Sequence, residues 1–325
     1  MPDTPAIEVR DLKVHFQNRR GKGLLRAVDG VNLSISRGSF HGIVGESGCG
    51  KTTLARCMVG LQKATEGKVL IGGRDCNDWL RTDRKAFARE VHFIFQDPLG
   101  SMSRRQSVYQ TLEEPLLIHG LGNAAERRQR ILELLELVAL PQTVLDRLPR
   151  SLSGGQRQRA CIARALALKT SILVCDEPLS ALDVSVRAQI VNLFASLQRQ
   201  LGLTIVMISH DLAIVREVCS EVTVMYLGSV VEEGATRPLF RDPKHPYSQA
   251  LLSAVPSTDP RIEATRRRIL LEGDPPSPSA LPVGCRFASR CPLVMERCHA
   301  ENPALQPVAH GGNTACHLAN SNVSI

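Results

Sequence analysis

Aromatic side chains are scarce. Phe, Trp and Tyr make up 4% of the 325 residues, with one Trp and three Tyr. Surfaces that grip single-stranded nucleic acid stack bases on aromatics. None of the short basic clusters, Arg19-Arg20, Arg104-Arg105, Arg127-Arg128 and Arg266-Arg267-Arg268, is interleaved with them. The net charge of +8 therefore reads as a scattered basic surface, and no nucleic-acid partner is expected. Long apolar runs are also missing. No stretch approaches the ~18 residues that a membrane-spanning helix needs. Met1–Glu8 has no charged segment followed by an apolar one, so no signal peptide is expected. Both absences place the chain in the cytosol, or at the cytosolic face of a membrane through a partner.

What is present is an ordinary globular composition, 43% hydrophobic and 22% charged, in a chain long enough for a large core plus a smaller second unit. Six of the ten cysteines (Cys49, Cys57, Cys76, Cys161, Cys175, Cys219) are scattered and read as free thiols in or near the core. The other four, Cys285, Cys291, Cys298 and Cys316, crowd into the tail. Four thiolates can hold zinc or an iron–sulfur cluster, and their spacing is wider than the close pairs that structural zinc prefers.

The organising stretch is Phe40–Leu54: a short apolar strand, a glycine-rich turn and the start of a helix. Gly45, Gly50, Lys51 and Thr52 satisfy G-x-x-x-x-G-K-[ST]. Such a turn points backbone N–H groups inward at a helix N-terminus and makes an anion nest. Gly45, Glu46, Ser47, Gly48, Cys49, Gly50, Lys51, Thr52 and Thr53 are the expected nucleotide-binding loop, with Lys51 on the β- and γ-phosphates and Thr52 on Mg²⁺.

Upstream, Ile7–Phe16 and Val31–Ile35 alternate apolar and polar, as half-buried antiparallel strands do. Gln17–Arg26 reads as a loop between them. Phe16 is either core or a platform for an adenine ring. Downstream, Val91–Phe95 is an apolar strand running into Gln96 and stopped by Pro98. From Ser101 to Pro149 the pattern turns helical, with Ile131, Leu132, Leu134, Leu135 and Val138 on one face of Ala124–Ala139. Ser153, Gly154, Gly155 and Gln156 then open another helix, as a second anion site or as a plain serine cap. Ser171–Asp176 is a continuous apolar run suited to a buried parallel strand, ending in Asp176 and Glu177. Asp176 is placed to hold Mg²⁺, and Glu177 to orient and deprotonate an attacking water. Thr204–Ile208 is the next buried strand, ending near His210, and Val222–Tyr226 with Ser229–Glu233 reads as a hairpin. Beyond residue 241 proline and arginine rise, which marks a boundary.

Taken in this order, these pieces resemble the nucleotide-binding subunits of ATP-binding-cassette transporters. The matching motifs are the phosphate loop, Gln96, Leu152–Gln156, Asp176-Glu177, Ser180–Asp183 and His210. The tail resembles the C-terminal extension of dipeptide and oligopeptide importers, in Lys244–Leu252, Gly284-Cys285-Arg286-Phe287 and Arg290-Cys291-Pro292. The match is closest to the second ATPase of such systems. Ser103-Arg104 and Leu179 depart from that family's pattern, beside the nucleotide chemistry rather than in it.

The resemblance implies an α/β fold: a P-loop NTPase core with a mainly parallel central sheet, an N-terminal antiparallel β-subdomain, an inserted helical subdomain at about 97–160, and a Cys-rich extension. Residues 1–240 would form the nucleotide-binding domain and 241–325 the extension. It also implies ATP hydrolysis with Mg²⁺ held through Thr52, Gln96 and Asp176, and catalysis by Lys51, Glu177 and His210. Phe16 falls where the family stacks adenine. Ser153, Gly154, Gly155 and Gln156 would cover ATP held by a partner subunit, with Asp183 alongside. A [4Fe–4S] cluster is implied at Cys285, Cys291, Cys298 and Cys316, with zinc as the alternative. The implied partners are a second ATPase, two permeases and an extracytoplasmic solute-binding protein, at the cytoplasmic face of the inner membrane. The implied cargo is dipeptides or oligopeptides, with nickel, glutathione or an opine as alternatives; a soluble cassette ATPase acting on nucleic acid is the remaining reading.

Overall fold

The computed structural model describes residues 4–17, 23–256, 261, 263, 268–309 and 311–320. Arg19-Arg20, Arg266-Arg267 and half of the loop expected at Gln17–Arg26 lie outside the described residues.

Two sheets carry the fold. The first is antiparallel and four-stranded, in the order β2-β1-β4-β5: β1 (Ile7–Gln17), β2 (Leu24–Ile35), β4 (Glu66–Ile71) and β5 (Arg74–Asp75). Alternate residues of β1 are buried, which is the period-two signal of a sheet with one wet face. β2 begins seven residues before the expected Val31, because Leu24–Asp29 pair across to β1 despite their arginine and polar content.

The second sheet is mixed and eight-stranded, in the order β11-β12-β10-β9-β3-β8-β7-β6. Its parallel part contains β3 (Phe40–Val44), β6 (Val91–Ile94), β7 (Ile172–Asp176), β8 (Thr204–Ile208) and β9 (Glu221–Tyr226). β3, β7 and β8 are buried at every position. Helices cover both faces, so these strands show no alternation in sequence. Ile43, Ile172, Val174, Val206 and Ile208 enter the core beneath the antiparallel sheet; Phe40, Val44, Leu173, Cys175, Ile205 and Met207 enter the core on the other side. β10 (Ser229–Ala235) pairs antiparallel with β9. β12 (Asn313–Thr314) then adds to β10, and β11 (Gln306–Pro307) to β12, so the end of the chain extends the main sheet.

Helix α1 (Lys51–Met58) follows β3; α2 (Cys76–Thr82) and α3 (Arg84–Glu90) precede β6. Between β6 and β7 lie α4 (Pro98–Ser101), α5 (Val108–Ile118), α6 (Ala124–Leu137) and α7 (Gly154–Leu166). Serine or asparagine caps open α5, α6 and α7 with reciprocal capping boxes. Ile131, Leu134, Leu135 and Val138 are buried, as the α6 periodicity requires. Helix α8 (Val184–Leu201) ends at Gly202 in the left-handed conformation. Helices α9 (Leu212–Val218), α10 (Thr236–Arg241) and α11 (Pro246–Ser253) complete the order up to residue 256. A second expected boundary shifts at Phe95, which falls outside β6, half exposed and edge-on to Phe93 at 4.7 Å.

Candidate nucleotide site

The phosphate loop leaves the C-terminal end of β3 and enters α1 through Gly50, which caps the helix at φ +106°. A Cβ at Gly45 would lie 2.2 Å from the Met225 carbonyl oxygen, so only glycine lets the loop start there. Lys51 is buried, and its ammonium donates to the carbonyls of Gly45 (2.7 Å) and Glu46 (2.8 Å). The lysine thus spans the loop from inside. Ser47 and Gly48 are exposed at its tip, Cys49 is buried behind it, and Thr52 and Thr53 are partly buried at the first turn of α1.

The neighbouring strand ends supply the rest. Asp176 closes β7 and is 3% exposed. The Thr52 hydroxyl donates to its Oδ1 at 3.0 Å. Burial raises the Asp176 pKa, opposed by that hydrogen bond and by Arg56. Glu177 is held at φ +45°, with its N–H on the Ile208 carbonyl of β8. That strained backbone turns the carboxylate between two loop residues. Gln96 Nε2, past the end of β6, donates to Glu177 Oε2 at 3.2 Å; His210 Nδ1, past the end of β8, lies 3.3 Å from Glu177 Oε1. Lys51, Thr52, Gln96, Asp176, Glu177 and His210 therefore stand at the C-terminal ends of adjacent parallel strands, where open α/β sheets bind ligands. Thr52 and Asp176 offer hard oxygen donors suited to Mg²⁺.

Other expected residues stand elsewhere. Phe16 lies near the end of β1, 38% exposed and outside the packed core. Ser153 and Gln156 bond each other reciprocally, at 3.1 and 3.2 Å, at the start of α7. Gly154 and Gly155 face Leu182 and Val186, and a Cβ on Gly155 would meet Val186 Cγ1 at 2.7 Å. Asp183 is exposed at the start of α8, next to Val184, which is 80% exposed.

Cys285, Cys291, Cys298 and Cys316 line one small cavity with Phe287, Leu293 and Met295. Backbone N–H groups reach three of the sulfurs: Phe287 and Ala288 to Cys285, Leu293 to Cys291, and Leu318 to Cys316. Among the described residues, no group of three or more His, Cys, Asp or Glu side chains is arranged to hold a metal ion. Four soft thiols with N–H donors are nonetheless the donor set that zinc or an iron–sulfur cluster takes.

Sequence reasoning missed what lies behind the loop. The Glu46 N–H donates to the Tyr247 hydroxyl at 2.8 Å, and Arg290 pairs with the Glu46 carboxylate at 2.9 Å. These partners are 201 and 244 residues from Glu46, beyond the reach of local spacing.

The ABC transporter family profile matches residues 28–180, and that of the oligopeptide/dipeptide transporter C-terminal region matches residues 231–298. The oligopeptide transport ATP-binding protein OppF of Salmonella typhimurium is 44% identical over 308 residues, covering 92% of each chain. The chain belongs to the ATP-binding-cassette transporter ATPase family. A second relative of this cassette ATPase, the oligopeptide transport ATP-binding protein AppF of Bacillus subtilis, is 43% identical over 318 residues, 96% of this chain and 97% of that one. Among solved structures, the cassette MJ0796, in a dimeric post-hydrolysis state bound to ADP and Pi, matches with TM-score 0.64 and 32% identity. It covers 71% of this chain and 99% of its own. The structure of cbiO1 from Clostridium perfringens, part of the ABC transporter complex cbiONQ, matches with TM-score 0.64 and 28% identity, over 74% of this chain and 92% of that one. Among the described residues, no helix of this cassette ATPase is long and apolar enough to cross a membrane.

Proposed function

We propose that this cassette ATPase binds and hydrolyses Mg·ATP to drive peptide import through a membrane complex, and that the residues gathered at the strand ends do the chemistry. The supporting observation is the convergence of Lys51, Thr52, Gln96, Asp176, Glu177 and His210 on neighbouring parallel strands, in a chain whose tail matches the oligopeptide/dipeptide transporter region.

In this reading the loop N–H groups and Lys51 hold the β- and γ-phosphates, and Phe16 stacks on the adenine. Thr52, Asp176 and Gln96 hold Mg²⁺, which when bound would neutralise charge on those phosphates. Glu177 orients a water in line with the γ-phosphorus and accepts its proton. As the new O–P bond forms, the bond from the γ-phosphorus to the β–γ bridging oxygen breaks, leaving ADP and phosphate. Gln96 and His210 fix the two carboxylate oxygens of Glu177, and His210 also faces the γ-phosphate. Ser153, Gly154, Gly155 and Gln156 close over ATP held by a second ATPase subunit, with Asp183 at the seam. The two subunits then meet head to tail, and hydrolysis separates them.

Residues 97–160, which hold α4–α6 and the start of α7, are the proposed docking unit for two permeases at the cytoplasmic face of the inner membrane. An extracytoplasmic binding protein delivers the cargo. Residues 241–325 form the proposed extension, in which Cys285, Cys291, Cys298 and Cys316 would hold a [4Fe–4S] cluster or zinc. Either group would tie together segments of a loop-rich region.

The test is uptake of a labelled oligopeptide into vesicles carrying the chain with its permeases, second ATPase and binding protein. Uptake is expected to need Mg·ATP and to vanish in Lys51→Ala. Peptide uptake that persists in Lys51→Ala, or ATP-driven uptake of nickel but of no peptide, overturns the proposal.

A further inference from the structure

The segment carrying Cys285 and Cys291 touches the back of the phosphate loop. Glu46, the second residue of that loop, is held at both ends. Its N–H donates to Tyr247 Oη, and its carboxylate is paired with Arg290. Its carbonyl in turn accepts from the Lys51 ammonium. Tyr247 is fully buried, and the Arg290 side chain is 8% exposed. Neither side chain has room to drift. Tyr226, Tyr247 and Phe287 pack ring to ring with centroids 4.7–5.5 Å apart, and Arg290 also reaches the Tyr226 hydroxyl at 3.5 Å. A neighbouring residue of the same turn, Arg286, bonds Asp29 Oδ2 at 2.7 Å; the Asp29 N–H bonds the Gly228 carbonyl, and the Gly228 N–H bonds the Cys49 carbonyl. The turn at residues 285–291 thus reaches the loop at Glu46 and at Cys49.

An acidic side chain at the second position of a phosphate loop opposes a triphosphate unless its charge is matched. Arg290 supplies that match from behind, leaving the loop face to the ligand. Glu46 also sets where Lys51 rests, because its carbonyl is one of the lysine's two acceptors.

We propose that Arg290 and Tyr247 are positioning residues for nucleotide binding: by clamping Glu46 they hold the phosphate loop in its ATP-receiving shape, so that nucleotide affinity is set in part by the C-terminal turn. This rests on the nucleotide-binding reading above. It adds that the tail acts on the nucleotide site within its own chain.

The experiment measures Mg·ATP affinity and steady-state ATPase kinetics in the full-length chain assembled with its partners. Arg290→Gln is expected to weaken ATP binding about tenfold, as for an uncompensated, partly buried charge. Arg290→Lys is expected to recover part of that loss. Tyr247→Phe, which keeps the ring and removes only the acceptor, is expected to weaken binding roughly threefold to tenfold. In each case KM for ATP rises while kcat at saturating ATP changes less than twofold, a split that general loosening of the fold would not give. A second change, Glu46→Gln on the Arg290→Gln background, is expected to return most of the lost affinity. If Arg290→Gln fails to fold, Tyr247→Phe decides. ATP affinities within twofold of wild type for folded Arg290→Gln and Tyr247→Phe overturn this inference alone. A wild-type chain with no Mg·ATP affinity overturns the nucleotide reading with it.

Discussion

Gly50→Ala isolates one steric demand of the phosphate loop. A Cβ at residue 50 would lie 2.1 Å from the Ala27 carbonyl oxygen, 3.3 Å from its carbon and 3.5 Å from Gly228 Cα. All three are backbone atoms. The nearest is about 1 Å inside any contact that a real side chain makes. Ala27 cannot retreat easily. It sits in β2, whose Asp29 N–H bonds the Gly228 carbonyl at 2.9 Å, while the Gly228 N–H bonds the Cys49 carbonyl at 2.9 Å. The left-handed φ alone costs about 1–3 kcal/mol for alanine. Relieving the clash must also move the loop or part it from β2. A total of roughly 2–4 kcal/mol follows, or a fall in Tm of about 3–6 °C for a chain of this size. Displacing the loop by ~1 Å misaligns its N–H donors, and kcat/KM for ATP is expected to fall about 100-fold. The control is Gly48→Ala. Gly48 also has positive φ, at +78°, but nothing lies within 4 Å of its Cβ, so only the backbone strain of about 1–2 kcal/mol is expected. Titration with a fluorescent ATP analogue and thermal melts compare the two. Equal losses of affinity in both variants would refute the steric argument and leave only glycine strain.

Glu177→Gln keeps the shape but removes the base; turnover is expected to fall roughly 10²–10⁴-fold with ATP binding retained, and normal ATPase rates in the assembled complex would remove Glu177 from that role. His92 keeps an edge at the surface but is walled in by protein, and burial with Arg164 nearby holds its pKa down at about 4. Its folded pKa is below the unfolded value of about 6.5, so the unfolded chain takes the proton first and stability is lost as pH falls from about 6.5 to 4, by at most about 3 kcal/mol. Urea melts against pH should show that slope, reduced in His92→Gln; an unchanged slope would assign it to other groups. Purified without oxygen, the chain is expected to carry iron and sulfide at the Cys285, Cys291, Cys298 and Cys316 cavity, giving a brown protein with broad absorbance near the visible blue; a colourless protein with stoichiometric zinc would assign the cavity to zinc, and a metal-free one would remove both.

The parts of the fold legible in the sequence were those in which burial repeats at short range. Ile172–Asp176 and Thr204–Ile208 are buried on both faces, and an unbroken apolar run is what such a strand must look like. The α6 stripe and the serine opening α7 are likewise local facts. The misplaced edges have non-local causes. Leu24–Asp29 joins β2 because β1 offers it a ladder, although its own residues alternate poorly. Phe95 looks like strand, but β7 offers partners only as far as Ile94. The tail's strands, two residues each, are too short for any periodicity to announce, and only the pairing of β12 with β10 and of β11 with β12 makes them strands.

The same division holds at the site, and it explains the glycines. Thr52 and Asp176 are 124 residues apart, and their strands β3 and β7 are not neighbours, because β8 lies between them. Two strand spacings make roughly 10 Å. The loop after Val44 must therefore rise over the end of β8 and enter α1 so that Thr52 arrives 3.0 Å from Asp176. On the way it passes against the Met225 carbonyl at Gly45 and the Ala27 carbonyl at Gly50, where no Cβ fits. The motif spacing records that path. What holds the loop from behind, Tyr247, Arg290 and the Arg286–Asp29 pair, leaves no mark on the spacing, because a clamp needs only the right group at the right place and the chain can bring it from any distance.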